Sequence, residues 1–98
     1  MIKHIVMWNY KDGFSETENA ENAKKVKLAL EALLDLEGVN EMKVHINNLP
    51  SSNMDMMLES LFEDELSLHA YKIHPGHLKA VEFIQEVLEN RVVFDWEV

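Results

Sequence analysis

Apolar and polar positions alternate from the first residues of the chain. Ile2, His4, Val6, Trp8 and Tyr10 fall on one side of an extended segment and Lys3, Ile5, Met7 and Asn9 on the other, which predicts a strand over Ile2 to Tyr10 with both faces largely covered. Asp12-Gly13 then supplies a turn. Ser15-Glu16-Thr17-Glu18 has the spacing of a capping box, in which the Ser15 hydroxyl takes a backbone N–H and Glu18 reaches back, so a helix starts there. From Ala20 to Glu37 the apolar Ala23, Val26, Leu30, Leu33 and Leu34 recur at three- and four-residue intervals, and Gly38 is placed to close the helix as a left-handed cap.

The period returns to two at Val39. Met42, Val44 and Ile46 alternate with Glu41, Lys43 and His45, predicting a half-buried strand over Val39 to Leu49, ended by the polar cluster Asn47 to Asn53. Met54, Met56, Leu58, Ser60 and Phe62 then alternate with Asp55, Met57, Glu59 and Leu61, a second strand over Met54 to Glu63 that runs back along the first. The acidic Glu63-Asp64-Glu65 suits the positive end of a helix, and a short helix through Leu66 to Ile73 stops before Pro75, because the residue before a proline is pushed out of the helical region. His74 is therefore a corner. Pro75 is well placed as the first residue of a new helix with His77, Val81, Ile84 and Leu88 on one face. Arg91 to Val98 alternates again and predicts the last strand.

Strand, helix, strand, strand, helix, strand is the split βαβ order: an α+β chain with a four-stranded antiparallel sheet and its helices on one face. Such a sheet leaves its other face bare, and here that face offers Ile5, Met7 and Met57 rather than uniform charge. Something must cover it. A length of 98 residues allows one domain, 1–98, with no linker or repeat, and a core this small gains from a partner chain.

Charge and composition remove whole classes of function. Eighteen acidic against nine basic side chains give a formal net charge of -9, which repels phosphate backbones and anionic membrane surfaces. Nucleic acid and membrane are thus not expected as partners. The absence of cysteine excludes disulfides, thiolate nucleophiles and zinc-ribbon or iron–sulfur sites. No apolar run approaches the length that spans a bilayer, and the first residues lack a basic region followed by an apolar stretch, so the expected compartment is the cytoplasm.

Chemistry concentrates around His74-Pro75-Gly76-His77. Proline fixes the helix start, glycine leaves open space beside it, and His77 follows on the apolar face, aimed inward, where an imidazole can act as acid or base near neutral pH. The bland alternative is a cap or a hydrogen-bonded core histidine. His4, mid-strand between Ile2 and Val6, belongs to the layer under the helices and can converge on His77. Tyr71, just ahead of the helix break, offers a phenol to orient a carbonyl or pair with an imidazole. His74 and His77 also make a His-x-x-His pattern, but a corner residue and a first-turn residue point apart and no third ligand stands at recognisable spacing, so no metal and no cofactor are expected. Trp8 and Trp96 are candidates to line a pocket. His45 and His69 are expected in solvent.

The opening Met1-Ile2-Lys3-His4-Ile5-Val6-Met7, the segment Tyr71-Lys72-Ile73-His74-Pro75-Gly76-His77 and the closing Arg91-Val92-Val93-Phe94-Asp95-Trp96-Glu97 resemble the stress-responsive A/B barrel (Dabb) family over nearly the whole chain. The resemblance implies a ferredoxin-like subunit that pairs through its sheet into a dimeric α+β barrel, within a superfamily that includes monooxygenases, isomerases and polyketide cyclases. Cyclase members use a His and Tyr pair in the cleft between sheet and helices; on motif matching that pair falls on His77 and Tyr71, with His4 in the same cleft.

Three functions compete. In the first, a cleft in each subunit holds a small aromatic or polyketide-like carbonyl compound, His77 removes a proton beside the carbonyl, and Tyr71 or His4 polarises its oxygen, as in a cyclisation or isomerisation. In the second, the protein is a non-catalytic homodimer whose histidines are buried polar links. The third, a cofactor-free monooxygenase, rests on superfamily analogy with Trp8 and His77. A void shared by His4, Tyr71 and His77 separates the first from the second. Whether the chain is an enzyme stays open at this level.

Overall fold

The computed structural model describes residues 1–98 and keeps the expected order: β1 (Ile2–Tyr10), α1 (Glu16–Glu31), a 3-10 turn (Ala32–Asp35), β2 (Val39–His45), β3 (Met56–Phe62), α2 (Glu65–Ile73), α3 (Pro75–Val87) and β4 (Leu88–Glu97). All pairings in the sheet are antiparallel, in the spatial order β2-β3-β1-β4. The first and last strands of the chain are thus neighbours, and the fold is ferredoxin-like. No helix is long and apolar enough to cross a membrane.

The alternation in β1 sorts its side chains. Ile2, His4, Val6 and Trp8 are buried under the helices, where they meet Ala23, Val26 and Leu30 of α1, Leu68 and Tyr71 of α2, and Ala80, Ile84 and Val87 of α3. Each large apolar side chain so enclosed contributes about 1.5–3 kcal/mol relative to exposure. Lys3, Ile5 and Met7 point to the other face. Opposite them in register stand Trp96, Phe94 and Val92 of β4 and Leu61, Glu59 and Met57 of β3, so the uncovered face is more apolar than Ile5, Met7 and Met57 alone suggested.

The capping box forms: Glu18 N–H donates to Ser15 Oγ at 3.1 Å, and Ser15 N–H to Glu18 Oε1 at 2.9 Å. The helix that follows ends at Glu31, not Glu37, and tightens into the 3-10 turn, which buries Leu33 while turning Leu34 out. At that point α1 is fastened to the outer edge of the sheet. Val44 N–H donates to Glu31 Oε2 at 3.0 Å and Lys27 Nζ to Val44 O at 2.7 Å, so two side chains occupy backbone groups that an edge strand would otherwise offer to another chain. Gly38 does not cap the helix, which ends at Glu31; its φ of +81° serves the turn into β2, where a Cβ would also fall 2.6 Å from Ser67 Cβ.

Two strands depart from simple alternation. β2 ends at His45 rather than Leu49, because Asp55 N–H turns to Trp8 O at 2.9 Å and the hairpin ladder closes with His45 opposite Met57. β4 starts at Leu88 rather than Arg91, and its pairing with β1 slips between Met7 and Asn9. The slip is a bulge with one extra residue on β4. Asn90 occupies the left-handed region there, at φ 56°. Because of it, Leu88 and Arg91, an odd number of positions apart, lie on the same, helix-facing side, and Val93 and Asp95 follow Arg91 there, opposite Val6 and His4.

Candidate functional site

His4 is held from three directions. Its ring sits mid-strand under the helices with only 2% of the residue exposed; its neighbour in β3 is Ser60, whose hydroxyl donates to His4 O at 2.7 Å; and its neighbour in β4 is Asp95, whose Oδ1 is hydrogen-bonded to His4 Nδ1. Serine opposite the imidazole keeps the layer thin where a larger side chain would fill it.

The helix corner positions the other two groups. His74 is the cap of α3, its Nδ1 accepting from Gly76 N–H at 3.0 Å, and Pro75 is the first helical residue. The space beside Gly76 is not open, as the sequence suggested. A Cβ there would lie 3.0 Å from Leu33 Cδ2 and 3.1 Å from His74 Nδ1, so glycine serves the close approach of the 3-10 turn. His77 follows in the first turn, and its Nδ1 is 3.0 Å from Lys72 O, a bond that ties α3 back to α2. Tyr71, 1% exposed, is wedged between Phe62 and His77, with ring centroids 5.1 and 4.3 Å away, and His4 stands 6.4 Å off edge-on.

These contacts fix the protonation pattern. Burial lowers the proton affinity of His4, partly opposed by Asp95, and burial likewise lowers that of His77, against the bond to Lys72 O. Both imidazoles are therefore neutral at pH 7. A carboxylate and a carbonyl only accept, so each Nδ1 donates and each Nε2 keeps its lone pair. Burial pushes the Tyr71 phenol far above its ordinary range, which keeps it a hydrogen-bond donor, and its hydroxyl is buried with no partner in the protein. Trp8 Nε1 is buried and unpartnered in the same way. Two orphaned donors in one small core are costly, about 1–3 kcal/mol each.

His4, Tyr71, Trp8 and His77 all line one cavity of about 490 Å³ between β1, the bulged start of β4 and helices α2 and α3. That volume is within the range of about 300–1,000 Å³ that holds small ligands. Val6, Leu30, Leu58, Val81, Ile84 and Leu88 supply apolar walls, and Lys72, Gln85, Glu89, Asn90 and Arg91 the polar ones. The void that separates a ligand site from a packed dimer core is present. The arrangement can present a neutral base and a phenolic donor to one bound molecule.

Trp96 is elsewhere: it lies across the sheet from Trp8, on the bare face, edge-on to Phe94 at 5.7 Å. His45 bonds Glu59 at 3.0 Å on that same face, and His69 is exposed on α2. His74 and His77 are engaged by different backbone groups, and no group of three or more His, Asp or Glu side chains gathers in a metal-holding arrangement. Asp95, Lys72 and Arg91 escaped the sequence reading. The signal for Asp95 was a lone acid inside the apolar run Val92 to Trp96; Arg91 needed the bulge, which alternation does not reveal.

The model of the Stress responsive A/B Barrel Domain family matches residues 2–98. Comparison with curated proteins finds no match. A dimeric protein of unknown function and ferredoxin-like fold from Bacteroides fragilis is 28% identical, with TM-score 0.91 over 99% of this chain and 95% of that one. A dimeric ferredoxin-like protein of unknown function from Thermobifida fusca is 22% identical, with TM-score 0.84 over 99% and 90%. The hydroxynitrile lyase of Passiflora edulis, 18% identical, has TM-score 0.75 over 99% and 92%, so the same fold houses a lyase there.

Proposed function

Because the chain belongs to the stress-responsive A/B barrel (Dabb) family, we propose that it is a homodimeric small-molecule protein in which each subunit binds an aromatic or polyketide-like carbonyl compound and performs acid–base chemistry on it. The observation that carries this reading is Tyr71, which lines a cavity shared with two neutral imidazoles and whose hydroxyl is buried without a partner. A carbonyl oxygen satisfies that hydroxyl. His77 Nε2 then takes a proton from the carbon beside the carbonyl, the electron pair moves into the enolate, and Tyr71 stabilises the oxygen where charge develops. The enolate carbon attacks a second carbonyl of the same molecule and the alkoxide so formed takes the proton back from His77, or, where the enolate is conjugated with a C=C bond, His77 returns the proton at the far carbon of that system. His4, oriented by Asp95, is a second base on the opposite wall.

Pairing of two copies is supported by the bare sheet face, where Phe94 is 68% and Trp96 42% exposed beside Ile5, Met7 and Leu61. The similar proteins of B. fragilis and T. fusca are dimers, and two copies packed sheet to sheet bury these side chains. The domain spans the whole described chain in this reading.

Deuterium exchange tests the chemistry without knowledge of the natural substrate. The protein should accelerate exchange of the protons beside the carbonyl in an aryl ketone, followed by NMR in heavy water, and His77→Ala should abolish the acceleration. Exchange at the rate of buffer alone, for a ketone shown to bind, would remove the base and leave a binding protein.

A further inference from the structure

The chain is poor in cations, and two of its nine basic residues face the same cavity. One is Lys72, next to Tyr71 at the end of α2. The other is Arg91, the single arginine of the sequence, which the Asn90 bulge turns to the helix-facing side of β4. Bulges beside sites commonly re-aim one side chain. Two other cations are paired with carboxylates, Lys3 with Glu41 and Glu59 and Lys27 with Glu31. Lys72 and Arg91 form no ion pair and their side chains make no hydrogen bond in the protein, although Glu89 lies on the same wall. Both positive charges are felt at His4 and at His77, so two cations and a single carboxylate, Glu89, stand on the polar wall of the cavity.

We propose that the ligand of this cleft is a carboxylic acid, a keto acid whose carboxylate is bound by Arg91 and Lys72 at the mouth while its ketone reaches the Tyr71 hydroxyl inside. The proposal rests on the reading of the cleft as a small-molecule site and adds the class of molecule. A planar guanidinium matches a carboxylate with two parallel N–H···O bonds, and a lysine adds a point charge. With the carboxylate fixed at one end, the carbon beside the ketone is held in the inner, apolar part of the cavity, where His77 works. The net charge of -9 repels anions at long range, so the two cations act as a local filter rather than a broad attractive field.

A matched pair of ligands separates this proposal from the reading beneath it. β-Benzoylpropionate and its primary amide have nearly the same shape and the same ketone, and differ in charge. Calorimetric titration of the wild-type protein should show the acid binding about tenfold tighter or more, in line with the strength of charge-assisted hydrogen bonds. Arg91→Gln and Lys72→Gln should each reduce that preference, and Arg91→Lys should keep part of it. Equal affinity for acid and amide, or a preference that survives both glutamine variants, would overturn the anion proposal and leave the cleft intact. No binding of either compound by folded wild-type protein would refute the cleft and this proposal together.

Discussion

His4 and Asp95, at opposite ends of the chain, are direct partners across the β1–β4 ladder, and their side chains are hydrogen-bonded on the helix side of the sheet. Asp95 works against the burial that lowers the proton affinity of His4. Asp95→Ala should therefore move the His4 titration further down, read by NMR of the ring protons, and should cost about 1–3 kcal/mol because a buried N–H loses its acceptor. An upward or absent shift would mean that Asp95 does not hold the ring in solution.

His77 is half-buried beside a void, so its removal opens no new core cavity and loses only the Tyr71 contact and the bond to Lys72 O. His77→Ala should lower stability by about 1 kcal/mol in denaturant unfolding while abolishing proton exchange on a bound ketone. A loss of about 2–5 kcal/mol, the scale of a filled core site, with no ligand that raises the melting temperature, would make His77 a structural residue.

The pH dependence of stability has a defined sign. Burial holds His4 and His77 below their ordinary 6.5, so just below that value the unfolded chain binds protons that the folded chain refuses. Stability contributed by the neutral rings is complete above about pH 6.5 and declines as pH falls toward their lowered folded values, in a range above that where most carboxylates titrate. The melting temperature should fall between about pH 7.5 and 5.5, and the double variant His4→Asn/His77→Gln should flatten that fall. A flat wild-type profile would show that the rings are solvated.

Phe94 stands on the edge strand β4 of the uncovered face, opposite Ile5. Sedimentation of the wild-type protein at micromolar concentration should give about twice the 11.4 kDa of one chain, and Phe94→Asp should give the single-chain mass with its helices retained. A wild-type monomer would refute the sheet-to-sheet dimer.

The sequence revealed most where one local rule decides. Ser15 and Glu18, Pro75 after His74, and the strict alternation of β1 each specify a position from a few neighbouring residues, and all three features appear where expected. Strand ends were less legible because they depend on distant partners. The backbone of Asp55 turns to Trp8 where the β2–β3 ladder closes, so β2 ends at His45 rather than Leu49 and β3 starts at Met56 rather than Met54, while Val39 shares a face with Met42 only because the β2–β3 register shifts between Val39 and Glu41. In the site, His4, Tyr71 and His77 could be picked out because imidazole and phenol are uncommon on apolar faces. Asp95, Lys72 and Arg91 looked like ordinary surface charges, since nothing local tells a solvated side chain from one turned toward a cavity.

The left-handed backbone at Asn90 works as a sorting device for the whole of β4. In an unbulged strand that kept Leu88 in the core, every later side chain would change sides: Arg91 and Asp95 would move to the outer surface, and Val92, Phe94 and Trp96 would crowd under the helices. His4 would lose its acceptor, and the surface offered to a second subunit would gain charge in place of aromatic rings. The cavity lining and the uncovered face are thus both set by the bulge at Asn90, with its φ of 56°. Any drift in sequence that straightened this one residue would alter both at once, which couples their inheritance more tightly than their positions on opposite faces would suggest.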